Sequence, residues 1–186
     1  MRKTVLLAAL ACAALAGAAL AGAALAGAAL AQPSTPTAEL QGTFQMSGRV
    51  TAAYLVRGEH VGESVQRTWT FTQMCATAPC ATVGLVRSRA AGGDTLTLTF
   101  VGPGVYAGTG VFYAPLRCAG QIYPTGEVIP FKITVFVTGT MQTPSGVPAV
   151  SAISASYVNA SRANQTPCLA LLGRDAARYT GQVVAG

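Results

Sequence analysis

The chain has 186 residues, of which 51% are hydrophobic and 10% are charged, and its formal net charge is +6. This length suits one domain with a leader and excludes a large multidomain enzyme. The basic residues are spread along the chain with no dense run. Because a nucleic-acid-binding surface needs a dense basic patch among exposed aromatic residues, we expect no nucleic-acid partner.

The first 31 residues have the organisation of a secretory signal peptide. Arg2 and Lys3 are followed by an uncharged stretch of mainly Ala, Leu and Gly. Ala29-Leu30-Ala31 then supplies the small-x-small pattern of a cleavage site. We therefore predict a signal peptide at 1–31, a Pro-containing linker at 32–39 and a single domain at 40–186, secreted or on the exterior of the cell envelope.

Two other fates of the leader stay open. Its uncharged stretch is longer than the roughly 20 residues with which an α-helix spans a bilayer, so an uncleaved leader would anchor the protein in a membrane. Lipid attachment at Cys12, after Ala9-Leu10-Ala11, is the second alternative. The weakly apolar Ala and Gly residues favour cleavage, and we expect membrane contact only if the leader is retained.

Four cysteines remain once the leader is removed: Cys75, Cys80, Cys118 and Cys168. An even number in an exported chain indicates two disulfides, because the compartment is oxidising. Three pairings are open, and the short turn-like segment 76–79 favours Cys75–Cys80 together with Cys118–Cys168. A zinc site would need a second close pair of ligands, and we expect no metal.

Apolar and polar residues alternate in the first part of the domain, which predicts a hairpin. One parity of the first strand is apolar and carries Phe44, Met46, Val50, Ala52, Tyr54 and Val56. A loop at 58–63 leads into a returning strand at 65–72. Trp69 and Phe71 share one face of that strand, and we regard them as the aromatic residues that would face a bound ligand.

The same pattern continues to the end of the chain. Strands are predicted near 81–87, 95–101, 105–114, 131–138, 148–158 and 178–184. We expect a longer loop around Cys118, at 115–127, and a loop or single helical turn at 169–177. Eight strands with mostly short connections predict an all-β fold, an antiparallel eight-stranded meander barrel. A two-layer β-sandwich would use the same strands and is the alternative.

Several short motifs resemble known domains. Thr68-Trp69-Thr70-Phe71-Thr72 leads to Cys75 and Cys80, and Tyr106-Ala107-Gly108 and Tyr179-Thr180-Gly181 follow. This arrangement resembles uncharacterised secreted disulfide-containing β-domains of high-GC Gram-positive bacteria, some borne on membrane-anchored signalling proteins. Gly42-Thr43-Phe44 and the late Arg178 also resemble the calycin barrels, in which a Gly-x-Trp motif packs against a late Arg, although Phe44 stands here in place of Trp. These resemblances imply an exported domain and a barrel.

Few residues suggest catalysis. The single histidine, His60, lies between Glu59 and Glu63, which is a pattern for a general base. The glycines beside it indicate the solvated tip of a hairpin instead. No serine lies in a Gly-x-Ser-x-Gly motif, and the glycines at 102–110 precede a strand, whereas a phosphate-binding loop precedes a helix. We therefore predict no catalytic residues, no cofactor and no enzymatic activity.

We expect the protein to be a non-catalytic binding or interaction module at the cell surface, whose partner is a cell-envelope component. A small barrel that carries an apolar ligand is the alternative, and an unrecognised hydrolase is the third hypothesis. Arg87 and Arg89 share one strand face, and we interpret the arginines as scattered solubilising charges. Such charges would give weak attraction to anionic wall polymers.

Overall fold

A computed structural model describes residues 36–56, 58–89, 92–164 and 173–184. They form nine strands and no helix: β1 Gly42–Tyr54, β2 Ser64–Gln73, β3 Thr82–Arg89, β4 Gly92–Gly102, β5 Val105–Cys118, β6 Gln121–Met141, β7 Ala149–Asn159, β8 Ala163–Asn164 and β9 Arg174–Val183. Within these ranges no helix is long and apolar enough to cross a membrane.

The strands close into an antiparallel barrel. Its order is β5-β4-β3-β2-β1-β9-β7-β6, and β6 pairs with β5 to complete the ring. The two-residue β8 lies outside this ring and pairs with β6. Eight strands in meander order confirm the predicted barrel rather than a sandwich. Closure pairs the first strand with the last and removes the free edges that an open sheet would carry.

Alternation places the apolar side chains inside the barrel, as the sequence predicts. Trp69 and Phe71 are fully buried, and the Trp69 ring lies 5.3 Å from the Tyr179 ring and 6.3 Å from the Phe71 ring. Phe71 also makes an edge contact with Phe44 at 5.4 Å. An eight-stranded barrel has an interior that side chains can fill. These rings fill its centre.

The end of β1 corrects one predicted face. A β-bulge lies between Val50 and Ala52 in the pairing of β1 with β9. The extra residue reverses the alternation, so that Ala53 packs against the core and Tyr54 is 56% exposed. The predicted inward position of Tyr54 is therefore wrong. A bulge inserts one residue opposite a continuous partner strand and shifts every later side chain to the other face.

The segment 115–127 is part of a hairpin, and the predicted long loop there is wrong. β5 and β6 remain paired as far as Cys118 and Gln121. Ala119 and Gly120, both with positive φ, form the turn between them. Such two-residue turns match the twist of the paired strands. Ala119 is not a typical residue for this conformation, so the sequence carries little sign of the turn.

The predicted loop or helical turn at 169–177 is also partly wrong. β9 begins at Arg174, because Asp175 and Ala177 already alternate inward opposite β1 and β7. Residues 165–172 lie outside the described residues, and so does Cys168. The expected Cys118–Cys168 bond therefore stays a prediction.

The disulfide between Cys75 and Cys80 is present, which confirms that predicted pair. It closes the connection between β2 and β3. Cys80 is buried, and its carbonyl oxygen accepts a hydrogen bond from the Tyr106 hydroxyl at 3.2 Å. The bond thus fixes the connection against the barrel interior.

The described part of the predicted linker packs onto the barrel. Ala38 is buried in the core. The Glu39 backbone N–H donates to the Pro148 carbonyl oxygen at 2.8 Å, and the Val150 N–H donates to the Glu39 carbonyl oxygen at 2.9 Å. These bonds attach the segment before β1 to the start of β7.

Candidate functional site

One end of the barrel contains a cavity of about 180 Å³. It lies where the loop 58–63 joins β1 to β2, and β3, β5, β7 and β9 contribute the rest of its wall. The lining residues are Val50, Glu59, Glu63, Ser64, Val65, Gln66, Arg67, Arg87, Phe112, Tyr157, Asp175, Ala176, Ala177 and Tyr179. We call the buried Arg87, Tyr157 and Tyr179 the floor, and the more exposed Glu59 and Glu63 the rim. Arg67 also lines the cavity, and its charge acts on the Tyr179 phenol of the floor.

Arg87 is the central cation of the floor. It is 7% exposed, and its Nε and Nη2 groups donate to the two carboxylate oxygens of Asp94 at 2.7 and 2.6 Å. Its guanidinium lies over the Phe131 ring at 4.3 Å and near the Tyr157 ring at 5.3 Å. The bidentate pair and the stacking compensate the cost of burying this charge. The interpretation of Arg87 as a solubilising surface charge is therefore wrong.

Tyr157 and Tyr179 bring two phenols to the floor. Their side chains are 6% and 7% exposed, on β7 and β9 respectively. Both side chains line the cavity, neither hydroxyl forms a hydrogen bond to a residue that the structure describes, and neither is among the fully buried unpaired atoms. The Tyr179 ring lies across Gly48, where any Cβ would overlap it. Glycine at this position of β1 therefore permits the ring to form part of the cavity wall.

A second buried arginine closes the same end of the barrel. Arg162 is 6% exposed, and its Nη2 group lies 2.8 Å from an oxygen of Asp175. Glu59 and Glu127 lie 3.6 and 3.7 Å from its guanidinium. Arg162 thus joins the loop 58–63, β6 and β9. We refer to Arg162, Asp175, Glu59 and Glu127 as the Arg162 cluster.

The charges of this cluster change the pKa values of its members. Burial raises the pKa of the Glu59 carboxyl, Asp175 raises it further, and Arg162 opposes both effects. Burial acts to lower the pKa of Arg162, but its hydrogen bond and charge interaction with Asp175, with the charges of Glu127 and Glu59, raise that pKa overall. Arg162 is therefore held firmly in its charged form.

Burial also raises the pKa values of both floor tyrosines. Asp175 adds to the rise at Tyr157, while the nearby arginines oppose it at both residues. Both phenols therefore keep their protons at neutral pH. In that state each can donate one hydrogen bond into the cavity.

The rim carboxylates belong to the loop 58–63, whose histidine between two glutamates is a pattern for a general base. His60 is exposed, and its backbone N–H donates to a Glu63 carboxylate oxygen at 3.2 Å. Its side chain does not line the cavity. Arg67 extends from β2 into the cavity wall, and its hydrogen bond within the described residues goes to the Gln66 carbonyl oxygen at 2.7 Å.

Trp69 and Phe71, the predicted ligand-facing aromatics, lie in the filled centre of the barrel and do not line the cavity. The Trp69 Nε1 atom is buried with no hydrogen-bond partner among the described residues. The aromatic residues at the cavity are Phe112, Tyr157 and Tyr179. The alternation of their strands predicts that these side chains face inward. The sequence does not show which inward side chains contact one another.

Comparison of the chain with protein-family models, with curated proteins and with solved structures finds no match. The resemblances to secreted bacterial β-domains and to calycins therefore stay predictions. Among the described residues, no group of three or more His, Cys, Asp or Glu side chains is arranged to hold a metal ion.

The floor and the rim differ in chemical character. The floor presents hydrogen-bond donors from two phenols and a guanidinium, whereas the rim presents two carboxylates. Arg162 engages two of the three cavity carboxylates, Asp175 and Glu59. This arrangement can orient a small polar molecule through several hydrogen bonds.

Proposed function

We infer that the protein is an exported, non-catalytic binding module that takes a small polar molecule into the cavity at the end of its barrel. The observation that carries this proposal is the pair of tyrosines, Tyr157 and Tyr179, whose side chains line the cavity and whose hydroxyls have no hydrogen-bond partner among the described residues. A tyrosine hydroxyl that is not bonded within the protein can donate a hydrogen bond to a molecule in the cavity. A ligand with acceptor groups would satisfy both hydroxyls.

The leader and the cysteines support export. Arg2 and Lys3 precede an uncharged stretch with a cleavage pattern at Ala29-Leu30-Ala31, and Cys75 and Cys80 are bonded. Disulfides persist mainly in oxidising compartments. The cell surface or its surroundings is therefore the location we propose.

The composition of the cavity favours binding over catalysis. Its described lining has no imidazole and no thiol, and its one serine, Ser64, is exposed. The buried Asp175 is held by Arg162, so it lacks the freedom of a general base. Reversible binding needs only the donors and charges that the lining supplies.

A carrier of apolar ligands is the second candidate function. The side chains at the centre of the barrel fill the space that such a ligand would need, and the open space lies beside charged groups instead. Polar ligands are therefore the better match.

The test is a ligand screen by saturation-transfer NMR on the mature protein, with small acids, amines, zwitterions, sugars and hydrocarbons. We expect saturable binding of polar compounds that Ala177→Leu weakens, because a larger side chain would occupy the cavity beside Tyr179. Ala107→Leu, on the outer face of β5, is the matched control and should bind as the native protein does. Thermal unfolding of both variants verifies their fold.

Binding of hydrocarbons alone would favour the carrier function. Binding that Ala177→Leu leaves intact would place the ligand outside the cavity and overturn the proposed site. Export is tested separately by N-terminal sequencing of secreted protein, which should begin near Gln32. Full-length protein retained in the membrane would contradict the proposed secretion.

A further inference from the structure

We propose that the cavity binds a small zwitterion of the amino-acid class, with its carboxylate on the floor and its ammonium group at the rim. This inference rests on the proposed function, since it names the class of ligand for the same cavity. It follows from the arrangement of the lining, in which the floor carries hydrogen-bond donors and the rim carries carboxylates.

The floor offers donors that are not used inside the protein. The pair with Asp94 occupies Nε and Nη2 of Arg87, and Nη1 forms no hydrogen bond to a described residue. The hydroxyls of Tyr157 and Tyr179 are likewise unpaired among the described residues. A carboxylate has only acceptor oxygens, so it can accept from the guanidinium and from both phenol hydroxyls, whereas an ammonium group could use only the two phenol oxygens.

Arg67 adds positive charge beside the floor, where its charge acts on the Tyr179 phenol. Its hydrogen bond goes to the backbone of Gln66, and no described carboxylate lies within ion-pair distance of it. Arg87, in contrast, is balanced by Asp94. The charge of Arg67 is therefore available to a ligand carboxylate.

The rim carboxylates oppose a simple anion. Glu63 is exposed, and it forms no ion pair with a described residue. Glu59 shares Arg162 with Asp175 and Glu127, so the negative charges around this guanidinium exceed its single positive charge. A ligand with a carboxylate alone would be repelled here. A ligand that also has an ammonium group would be attracted.

The size of the cavity limits the ligand. Its volume is about 180 Å³, and a cavity of roughly 150 Å³ accommodates benzene. Roughly six to ten non-hydrogen atoms therefore fit. Val50, Ala177 and Phe112 offer contact to a small aliphatic side chain. An amino acid of the size of valine meets these limits.

The test compares L-valine with two analogues that each lack one charge and are no larger than valine, valinamide and 3-methylbutanoate. Titrations followed by NMR of the protein's aromatic signals should show L-valine binding at least about tenfold more tightly than either analogue. Tight binding of 3-methylbutanoate would indicate an anion site, and tight binding of valinamide would indicate a cation site. Either result overturns the zwitterion proposal.

Variants test whether the ligand carboxylate lies at the floor and the ligand ammonium group at the rim. Tyr157→Phe combined with Tyr179→Phe, and separately Arg67→Gln, should weaken L-valine by about tenfold. Glu63→Gln should weaken the binding of L-valine but not that of 3-methylbutanoate, which has no ammonium group. The matched controls are Tyr113→Phe, Arg178→Gln and Glu39→Gln, whose side chains do not line the cavity. Controls that weaken L-valine equally would contradict the assignment.

The outcomes separate this inference from the proposed function. If other small polar compounds bind in the cavity and L-valine does not, the binding module stands and the zwitterion class is wrong. If no compound binds, both proposals are wrong.

Discussion

Arg87 and Arg162 show how buried charge is accommodated in this small barrel. Each guanidinium is less than one-tenth exposed, and each lies within hydrogen-bond distance of a buried aspartate, Asp94 or Asp175. Burying an ion is expensive unless it is paired, and removal of one partner leaves the other uncompensated. Both pairs lie at the cavity end, so the polar site also determines the stability of this end.

Replacement of Arg162 should therefore be strongly destabilising. We expect Arg162→Met to lower the free energy of unfolding by about 3–5 kcal/mol, because Asp175 would remain buried without a counter-charge. Urea denaturation measures this loss. Arg178→Met, on the exposed face of β9, is the control and should change stability by less than about 0.5 kcal/mol. Similar losses in both variants would show that the Arg162 cluster has no special role.

Glu59 should make stability depend on pH. Burial raises the pKa of its carboxyl above the ordinary value of 4.5. A raised folded-state pKa gives a stabilising contribution that is complete below the unfolded-state value and is lost as the pH rises through the folded-state value. Glutamine resembles the protonated form, so Glu59→Gln should gain stability relative to the native protein between about pH 4 and about pH 7.

Urea denaturation at the two pH values tests this sign. Glu39→Gln, remote from the Arg162 cluster, controls for the removal of one carboxylate. A Glu59→Gln variant that loses stability relative to the native protein as the pH rises would show that the ion pair with Arg162 outweighs burial.

At the level of the elements, bulges and turns determine the strand boundaries and which side chains face inward. The bulge in β1 and the turn at Ala119-Gly120 both alter predicted boundaries. The extended β5–β6 hairpin carries Cys118 at its end, opposite Gln121, and the two-residue β8 pairs with the base of the same hairpin at Glu127 and Val128. Cys168 lies outside the described residues, so the bond between Cys118 and Cys168 stays a prediction.

We predict that Cys118–Cys168 stabilises the protein more than Cys75–Cys80 does. Its closed loop is about ten times longer, so the chain-entropy model assigns it about 2 kcal/mol more. Chemical denaturation of the two double-alanine variants, Cys118→Ala/Cys168→Ala and Cys75→Ala/Cys80→Ala, compares the losses. Equal losses would contradict the ranking, and non-reducing peptide mapping that leaves Cys168 as a free thiol would remove its basis.

At the level of the whole molecule, the barrel is filled at its centre and open at one end. The rings of Phe44, Trp69, Phe71 and Tyr179 are buried together. The cavity therefore begins beyond this aromatic layer, on the other side of Tyr179. Ligands can reach the floor without disturbing the centre of the core.

The single Trp residue reports on this filled centre. Because Trp69 is fully buried, its fluorescence should be blue-shifted, resist quenching by acrylamide and stay unchanged when a fatty acid is added. Trp69→Phe combined with Tyr113→Trp moves the indole to a position where the native side chain is 54% exposed, and this control should be quenched readily. Saturable quenching of Trp69 by a fatty acid would instead show that the centre opens to apolar ligands.

The sequence by itself determined the local features of this protein. Alternation at period two is a property of adjacent residues, so it predicted the strands, the inward position of Trp69 and Phe71, and a meander of eight strands. The short spacing between Cys75 and Cys80 likewise predicted their bond, since a turn of a few residues already brings them together.

The tertiary structure alone decided which inward residues meet. Arg87, Tyr157 and Tyr179 lie on β3, β7 and β9, and Glu59 and Glu63 lie in a loop, so no local spacing relates them. Their encounter depends on closure of the ring and on the strand registers, including the shift at the bulge in β1. An arginine in a strand has the same local pattern whether it faces water or Asp94. Burial and pairing across the barrel, which only the closed fold supplies, distinguish the two.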